Sequence, residues 1–369
     1  ATRTSEINHS APYYVIANTS DSAVKAVNQA IRQGKKVYLT DDGYIVDTPT
    51  FENLLGDYAI YGDALYKVPN GPSLKALKVY SPPHQFYWAG VDSPTHTALA
   101  LKNLGFDLVD TPEEADVVVL ESNNFDKSLV GLKPTIVVGG SAMQRLEKLG
   151  LIDGFDAEKF SGGSDFEGLM KAIIDDQDPL TSGYNKNDLF YSNSGNWIAK
   201  APANFKTLAT IAGSDYYIAG WWPGNEKLAN KIVAISGKYN ENPLFVYAGN
   251  PTNRLHTIHF YRWISNAVFG SQLANLTDNI LPSPNPIPQP QPLTPPTYQA
   301  PSKTYQAPNQ TRLDFKPATK VEPVQEIPLT YSRESLPKTG TQEMTEGFKL
   351  ASILIACSAG LFLLKKKED

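Results

Sequence analysis

The sequence predicts an α/β protein with a doubly wound parallel sheet and a β-rich extension, and three observations carry that expectation. Between residues 13 and 273, short β-rich runs alternate with segments of helical spacing. Two of the runs, 116–120 and 134–138, are almost wholly apolar, the pattern of parallel strands covered on both faces. The second breaks at Gly139-Gly140-Ser141 into a helical stretch over 142–149, as a strand–helix crossover requires.

Each element has a local cause. Residues 13–17 form a β-rich run, and Thr19 or Ser20 is placed to cap a helix over 23–33, whose Val24, Val27 and Ile31 share a face. Gly34 closes that helix. A strand over 36–40 pairs with 44–47 across the Asp42-Gly43 turn, and a short helix follows at Phe51. A second unit starts with a strand at 76–80, an aromatic loop (Phe86, Tyr87, Trp88) and a helix over 93–104. A short strand over 106–109 follows, and Pro112 then sits at a helix-compatible first position in a turn. Beyond residue 190 the pattern changes to strands joined by turns: 191–198, 207–212, 216–220, 231–236 and 243–248. A helix over 256–269, with Ile258, Trp263, Ile264 and Phe269 on one side, closes the domain. The organisation predicted is a small α/β unit (1–75), an α/β domain with a β-rich second half (76–273), a linker (274–335) and a C-terminal signal (336–369).

The linker is rich in Pro, Gln, Thr and Asn, with Thr297-Tyr-Gln-Ala-Pro repeated at Thr304. Such a composition cannot build a core and predicts a disordered, polyproline-prone spacer. Its sixty or so residues reach on the order of 190 Å at about 3.1 Å each. The alternative is a Pro-rich ligand for an aromatic-grooved module.

Leu336-Pro337-Lys338-Thr339-Gly340 is followed by a polar spacer, an apolar run from Leu350 to Leu364, and Lys365-Lys366-Lys367. This order resembles the sortase cell-wall sorting signal of Gram-positive bacteria. The apolar run is a hydrophobic helix that pauses the exported chain in the membrane, and the lysines hold the cytoplasmic side. The resemblance implies cleavage between Thr339 and Gly340 and attachment of Thr339 to peptidoglycan, with sortase and peptidoglycan as partners. A permanent membrane anchor beside a chance LPKTG is the alternative, but the apolar run is shorter than the roughly 17–25 residues a span prefers. No secretory signal precedes Tyr13, although such a substrate must be exported. The expectation is a C-terminal piece of a longer, secreted precursor.

Composition narrows the chemistry. A net charge of −5 without a basic stripe argues against a nucleic-acid partner. The single cysteine, Cys357, lies in the apolar run, so the preceding residues hold no disulfide framework and no cysteine nucleophile. The chain has five histidines, and His256 and His259 stand three apart, but no carboxylate lies at ligand-like spacing and no His-x-x-Glu occurs. Ser141 follows a strand-to-helix break where an α/β enzyme places a nucleophile, yet Met143 replaces the second glycine of Gly-x-Ser-x-Gly. Its alternative is close strand–helix packing with a helix N-terminus left free for an anion. Tyr216, Tyr217, Trp221 and Trp222 are candidates for stacking on sugar rings, or else aromatics filling a domain junction. Asp41-Asp42-Gly43 reads as a hairpin turn, since the other ligands of a calcium loop are absent.

Several segments carry a second resemblance: Tyr13-Tyr-Val-Ile-Ala-Asn, Gly34-Lys-Lys-Val-Tyr, Asp178-Pro-Leu-Thr-Ser-Gly-Tyr184, Ala212-Gly-Ser-Asp215, Gly220-Trp-Trp-Pro-Gly224 and Phe245-Val-Tyr-Ala-Gly-Asn-Pro251, running on through Arg254 to Ser265-Asn-Ala-Val-Phe269. Over about residues 13–269 the chain resembles the C-terminal region of large secreted bacterial zinc carboxypeptidase-like proteins. The resemblance implies a class I glutamine amidotransferase-like, flavodoxin-like fold following a metallopeptidase domain. Zinc is expected only in that upstream domain. The zinc motif and the amidotransferase cysteine are both missing, so no catalytic residue carries over. The function expected is a non-catalytic accessory region and wall anchor of a carboxypeptidase-like surface protein. A stand-alone glycan- or host-binding module is the alternative, and a serine hydrolase centred on Ser141 a third.

Overall fold

The computed structural model describes residues 7–86, 91–159, 166–193 and 195–273, all within one compact unit. The linker, the LPKTG motif with Thr339, and the apolar run lie outside the described residues. Among the described residues no helix is long and apolar enough to cross a membrane.

The chain begins with an antiparallel four-stranded sheet in the order β2-β3-β1-β4, formed by β1 (Tyr13–Ala17), β2 (Tyr38–Leu39), β3 (Gly43–Asp47) and β4 (Gly62–Leu65). Two helices accompany it, α1 (Asp21–Arg32) and α2 (Thr48–Asp57). Ser20 caps α1 by accepting from the Ala23 amide, and Asp47 caps α2 by accepting from that of Thr50. Gly43 follows the Asp41-Asp42 turn because its φ is +142° and a Cβ there would stand 2.2 Å from the Ile16 carbonyl oxygen.

The second sheet is mixed. Its parallel part comprises β5 (Lys78–Tyr80), β8 (Asp107–Leu108), β9 (Val117–Leu120), β10 (Thr135–Val138) and β18 (Asn242–Tyr247). A hairpin, β6 (His84–Phe86) with β7 (Val91–Ser93), and helix α3 (His96–Asn103) follow β5; helix α4 (Gly139–Leu149) follows β10. All four residues of β9 and of β10 are buried, which accounts for their apolar composition. The antiparallel part adds β12 (Glu167–Ile174), β13 (Asn187–Ser192), β15 (Lys206–Ile211) and β17 (Ile232–Tyr239), the last pairing with β18. Beside them lie β11 (Asp156–Lys159), β14 (Asn196–Lys200) and β16 (Tyr217–Trp221).

The α/β class is therefore as expected, with the parallel strands and the β-rich second half joined in one mixed sheet. The stretch expected as one strand over 191–198 is two, β13 and β14, separated near Gly195 at φ +59°. The last helix, α5 (Tyr261–Gly270), starts five residues later than its spacing predicts, because Thr257 leaves the helical region (φ −90°, ψ 47°) and residues 258–260 form a tighter 3-10 turn first.

Every residue of α5 is buried, and a polar joint fixes it. Arg262 Nη1 donates to the carbonyls of Asn18 (3.0 Å) and Gly183 (2.7 Å). Asn18 Nδ2 donates to Asn266 Oδ1 (2.8 Å), and Asn266 Nδ2 donates to the Ser182 carbonyl (2.9 Å). The joint ties the end of β1, the 178–184 turn and α5 together. One cluster of buried apolar side chains runs through both sheets, from Ala11 to Phe269.

Candidate functional site: a polar crevice at the strand ends

Parallel α/β sheets present ligands at the carboxyl ends of their strands. There the chain has a crevice of about 550 Å³, between the N-termini of α3 and α4. Glu121 and Ser122 directly follow β9, and Gly139 and Ser141 directly follow β10. Asn250 and Asn253 come from the segment after β18, and Asn193 lies just past β13. His84 and His96 complete the rim.

The turn from β10 into α4 is sharp, and its strained residue is Gly139, with φ +81°. A Cβ at that position would stand 3.1 Å from Asn250 Nδ2, so the site is held to glycine by both its backbone and its neighbour. In a nucleophile elbow the reactive residue itself occupies such a strained turn. Here that residue has no side chain. Ser141 is two residues further on, already helical and exposed, and its side chain makes no hydrogen bond among the described residues. The strained position of the turn is thus Gly139, and among the described residues no base is bonded to Ser141.

The other polar groups are committed to one another. Glu121 Oε2 accepts from the Thr97 amide (2.8 Å), placing a carboxylate at the N-terminus of α3 beside the Thr95 cap. Asn250 Oδ1 accepts from the Asn193 amide (3.1 Å), Asn193 Nδ2 donates to Asn253 Oδ1 (2.8 Å), and Asn253 Nδ2 donates to the Tyr191 hydroxyl (2.7 Å). That hydroxyl donates to Glu167 Oε1 (2.7 Å). Desolvation, reinforced by the Glu167 charge, pushes the Tyr191 hydroxyl well above its usual range, so it stays protonated. The crevice is thus a fixed lattice of amides and hydroxyls. Helix α4 adds its first-turn amides, since Val138 at its N-cap offers no side-chain bond. Such a surface can hold a hydroxyl-rich ligand by paired hydrogen bonds.

The four aromatic candidates do not form one face. Tyr216 and Trp222 are buried, the Tyr216 hydroxyl donating to the Asn225 carbonyl (2.7 Å). Trp221 is 63% exposed, with Tyr217 half-buried and Ile218 exposed on the same strand. Trp221 faces solvent while Trp222, just past the end of β16, is buried, so the two do not share a platform.

The histidine pair also diverges in role. His256 is exposed, whereas His259 Nε2 lies 2.7 Å from Asp188 Oδ1 and its Nδ1 lies 3.0 Å from Arg262 Nη2. A guanidinium can only donate, so Nδ1 accepts and Nε2–H donates to Asp188. Both ring nitrogens are used, which makes this a structural bridge between β13 and α5. Burial works against the Asp188 charge, but the hydrogen bond from His259 and those from the Asn185 and Leu189 amides hold its carboxyl below the usual range. A folded-state pKa below the unfolded value of about 3.9 stabilises the protein above that pH, and the contribution is lost as pH falls through the folded value. Asp188→Asn is therefore expected to lower the urea midpoint at pH 7, with the gap from wild type narrowing at pH 3; an equal gap at both values would contradict the linkage. Among the described residues no three His, Cys, Asp or Glu side chains are grouped to hold a metal, so no zinc set is offered there.

Sequence reasoning reached Ser141 and the glycine break but not Glu121, Asn193, Asn250 or Asn253. Asparagines at strand ends have no spacing signature, and only the crossover topology brings them together.

No family model and no curated protein matches the chain. Among solved structures, it is similar to a GMP synthase subunit-like protein from Thermoplasma acidophilum, at 14% identity over 55% of this chain and 98% of that one, with a TM-score of 0.38. It is also similar to a ThuA-like protein from Parabacteroides merdae, at 12% identity over 55% of this chain and 91% of that one, with a TM-score of 0.36.

Proposed function

We propose that this chain is a wall-anchored, non-catalytic binding module, the accessory C-terminal region of a zinc carboxypeptidase-like surface protein. In this reading its domain is a doubly wound, class I glutamine amidotransferase-like fold that keeps the ligand crevice and has lost the nucleophile. The observation that supports it most is Gly139, a residue without a side chain at the strained turn where that fold would carry its reactive group. The LPKTG motif supplies the address: sortase joins Thr339 to peptidoglycan, and the Pro-rich spacer carries the domain outward. The ligand is a hydroxyl-rich molecule, and wall or host glycans are the class within reach of such an anchor.

A second reading places glycan binding on exposed Trp221, which lies 5.5 Å from Phe166 between ring centroids. Two measurements test the proposal. A fluorophosphonate probe should leave Ser141 unlabelled, and soluble wall fragments should bind without being turned over. Labelling of Ser141 would instead favour the hydrolase.

A further inference from the structure

Behind Ser141 the crevice continues into a second lobe of about 400 Å³, and the two share Ser141 and Asn123. We propose that this lobe is a subsite for an anionic oxo group, a phosphate ester or a carboxylate, carried by the hydroxyl-rich ligand of the crevice. The inference rests on the binding reading given above.

Among the described residues three cations line the lobe, Arg145, Lys148 and Lys159, and no carboxylate does. Ser141, Arg145 and Lys148 lie four and three residues apart on α4, so they form one stripe along its face. Lys159 joins them from β11: Gln144 Nε2 donates to the Ala157 carbonyl (3.2 Å), docking that strand on the helix. Among the described residues none of the three cations forms a salt bridge or a side-chain hydrogen bond, and Arg145 Nε is shielded from solvent without a partner. Arg145 interacts at longer range with the charge of Asp126 and Lys148 with that of Glu147, and neither carboxylate lines the lobe. In a chain of net charge −5 such a grouping stands out. The open N-terminus of α4, with no side-chain cap, points the same way, since its amides and dipole favour negative charge. The neutral lobe would then read hydroxyls and the cationic lobe the charge.

Calorimetric titration of the full chain separates the parts. The probes are inorganic phosphate, glycerol 3-phosphate and N-acetylmuramic acid, with N-acetylglucosamine as the neutral control. The variant is R145Q/K148Q/K159Q, whose urea midpoint is checked against wild type. At least one anionic probe should bind, weaken in high salt, and lose about tenfold or more in affinity in the variant, or about 1.4 kcal/mol. The neutral sugar should bind both proteins alike. Preference for the phosphate ester or for the carboxylate identifies the source of the charge. Anion affinity that is unchanged in the variant, or no anion binding at all, overturns the subsite. Anion binding with no response to neutral sugar or wall fragments keeps the subsite and removes the glycan reading instead.

Discussion

Replacing Arg262 by Met should destabilise the protein by about 3–5 kcal/mol, the effect of stranding buried partners of a charged group. The guanidinium holds the carbonyls of Asn18 and Gly183, lies against the Tyr184 ring at 4.4 Å, and fixes the His259 ring through Nδ1. Methionine fills much of the same space but satisfies none of these acceptors. The expected fall in melting temperature is about 10 °C for a domain of this size. Gly183→Ala attacks the same joint differently. Its φ is +83°, and a Cβ would stand 1.9 Å from the Asn18 carbonyl oxygen, so backbone must move. Because both changes break one network, the double variant should be less destabilised than the sum of the two singles. Additive losses, or a Tm change within a degree or two, would show that the joint does not hold the sheets.

Thr339→Ala should move nearly all of the protein out of the covalent wall fraction in a sortase-bearing Gram-positive host. Wild-type protein is expected to resist hot detergent and to be freed by a muramidase. The variant keeps its apolar run and lysines, so it should instead extract with detergent from the membrane. Detergent extraction of wild-type protein would mean that the C-terminal segment is a permanent anchor and the motif a coincidence.

How far the fold could be read depended on what each residue could reveal alone. β9 and β10 were legible because burial on both faces leaves a continuous apolar run. β12 was not: Glu167 to Ile174 mixes Gly, Lys and Ala into a strand whose alternate burial becomes evident only with β13 and β15 beside it. The start of α5 was misplaced because the apolar spacing of residues 258–269 does not distinguish the 3-10 turn at Ile258–Phe260 from the α-helix that follows it. The aromatic candidates divide between core and surface, Tyr216 and Trp222 buried and Trp221 exposed, a division that burial reveals and residue type does not. Of the crevice, the glycine break was legible, while the asparagine lattice depends on segments more than fifty residues apart, as the bonds from Asn193 to Asn250 and Asn253 show.

Whether the crevice binds without catalysing can be tested at a single position. Ser141 is exposed where the crevice meets its second lobe, so a large side chain there fills it without disturbing the core. Titration of soluble wall fragments into wild type, Ser141→Ala and Ser141→Tyr is the most direct measurement. The first two should bind equally and without turnover, and Ser141→Tyr should lose binding. Undiminished binding by Ser141→Tyr, or turnover by wild type that disappears in Ser141→Ala, would contradict a binding crevice without chemistry.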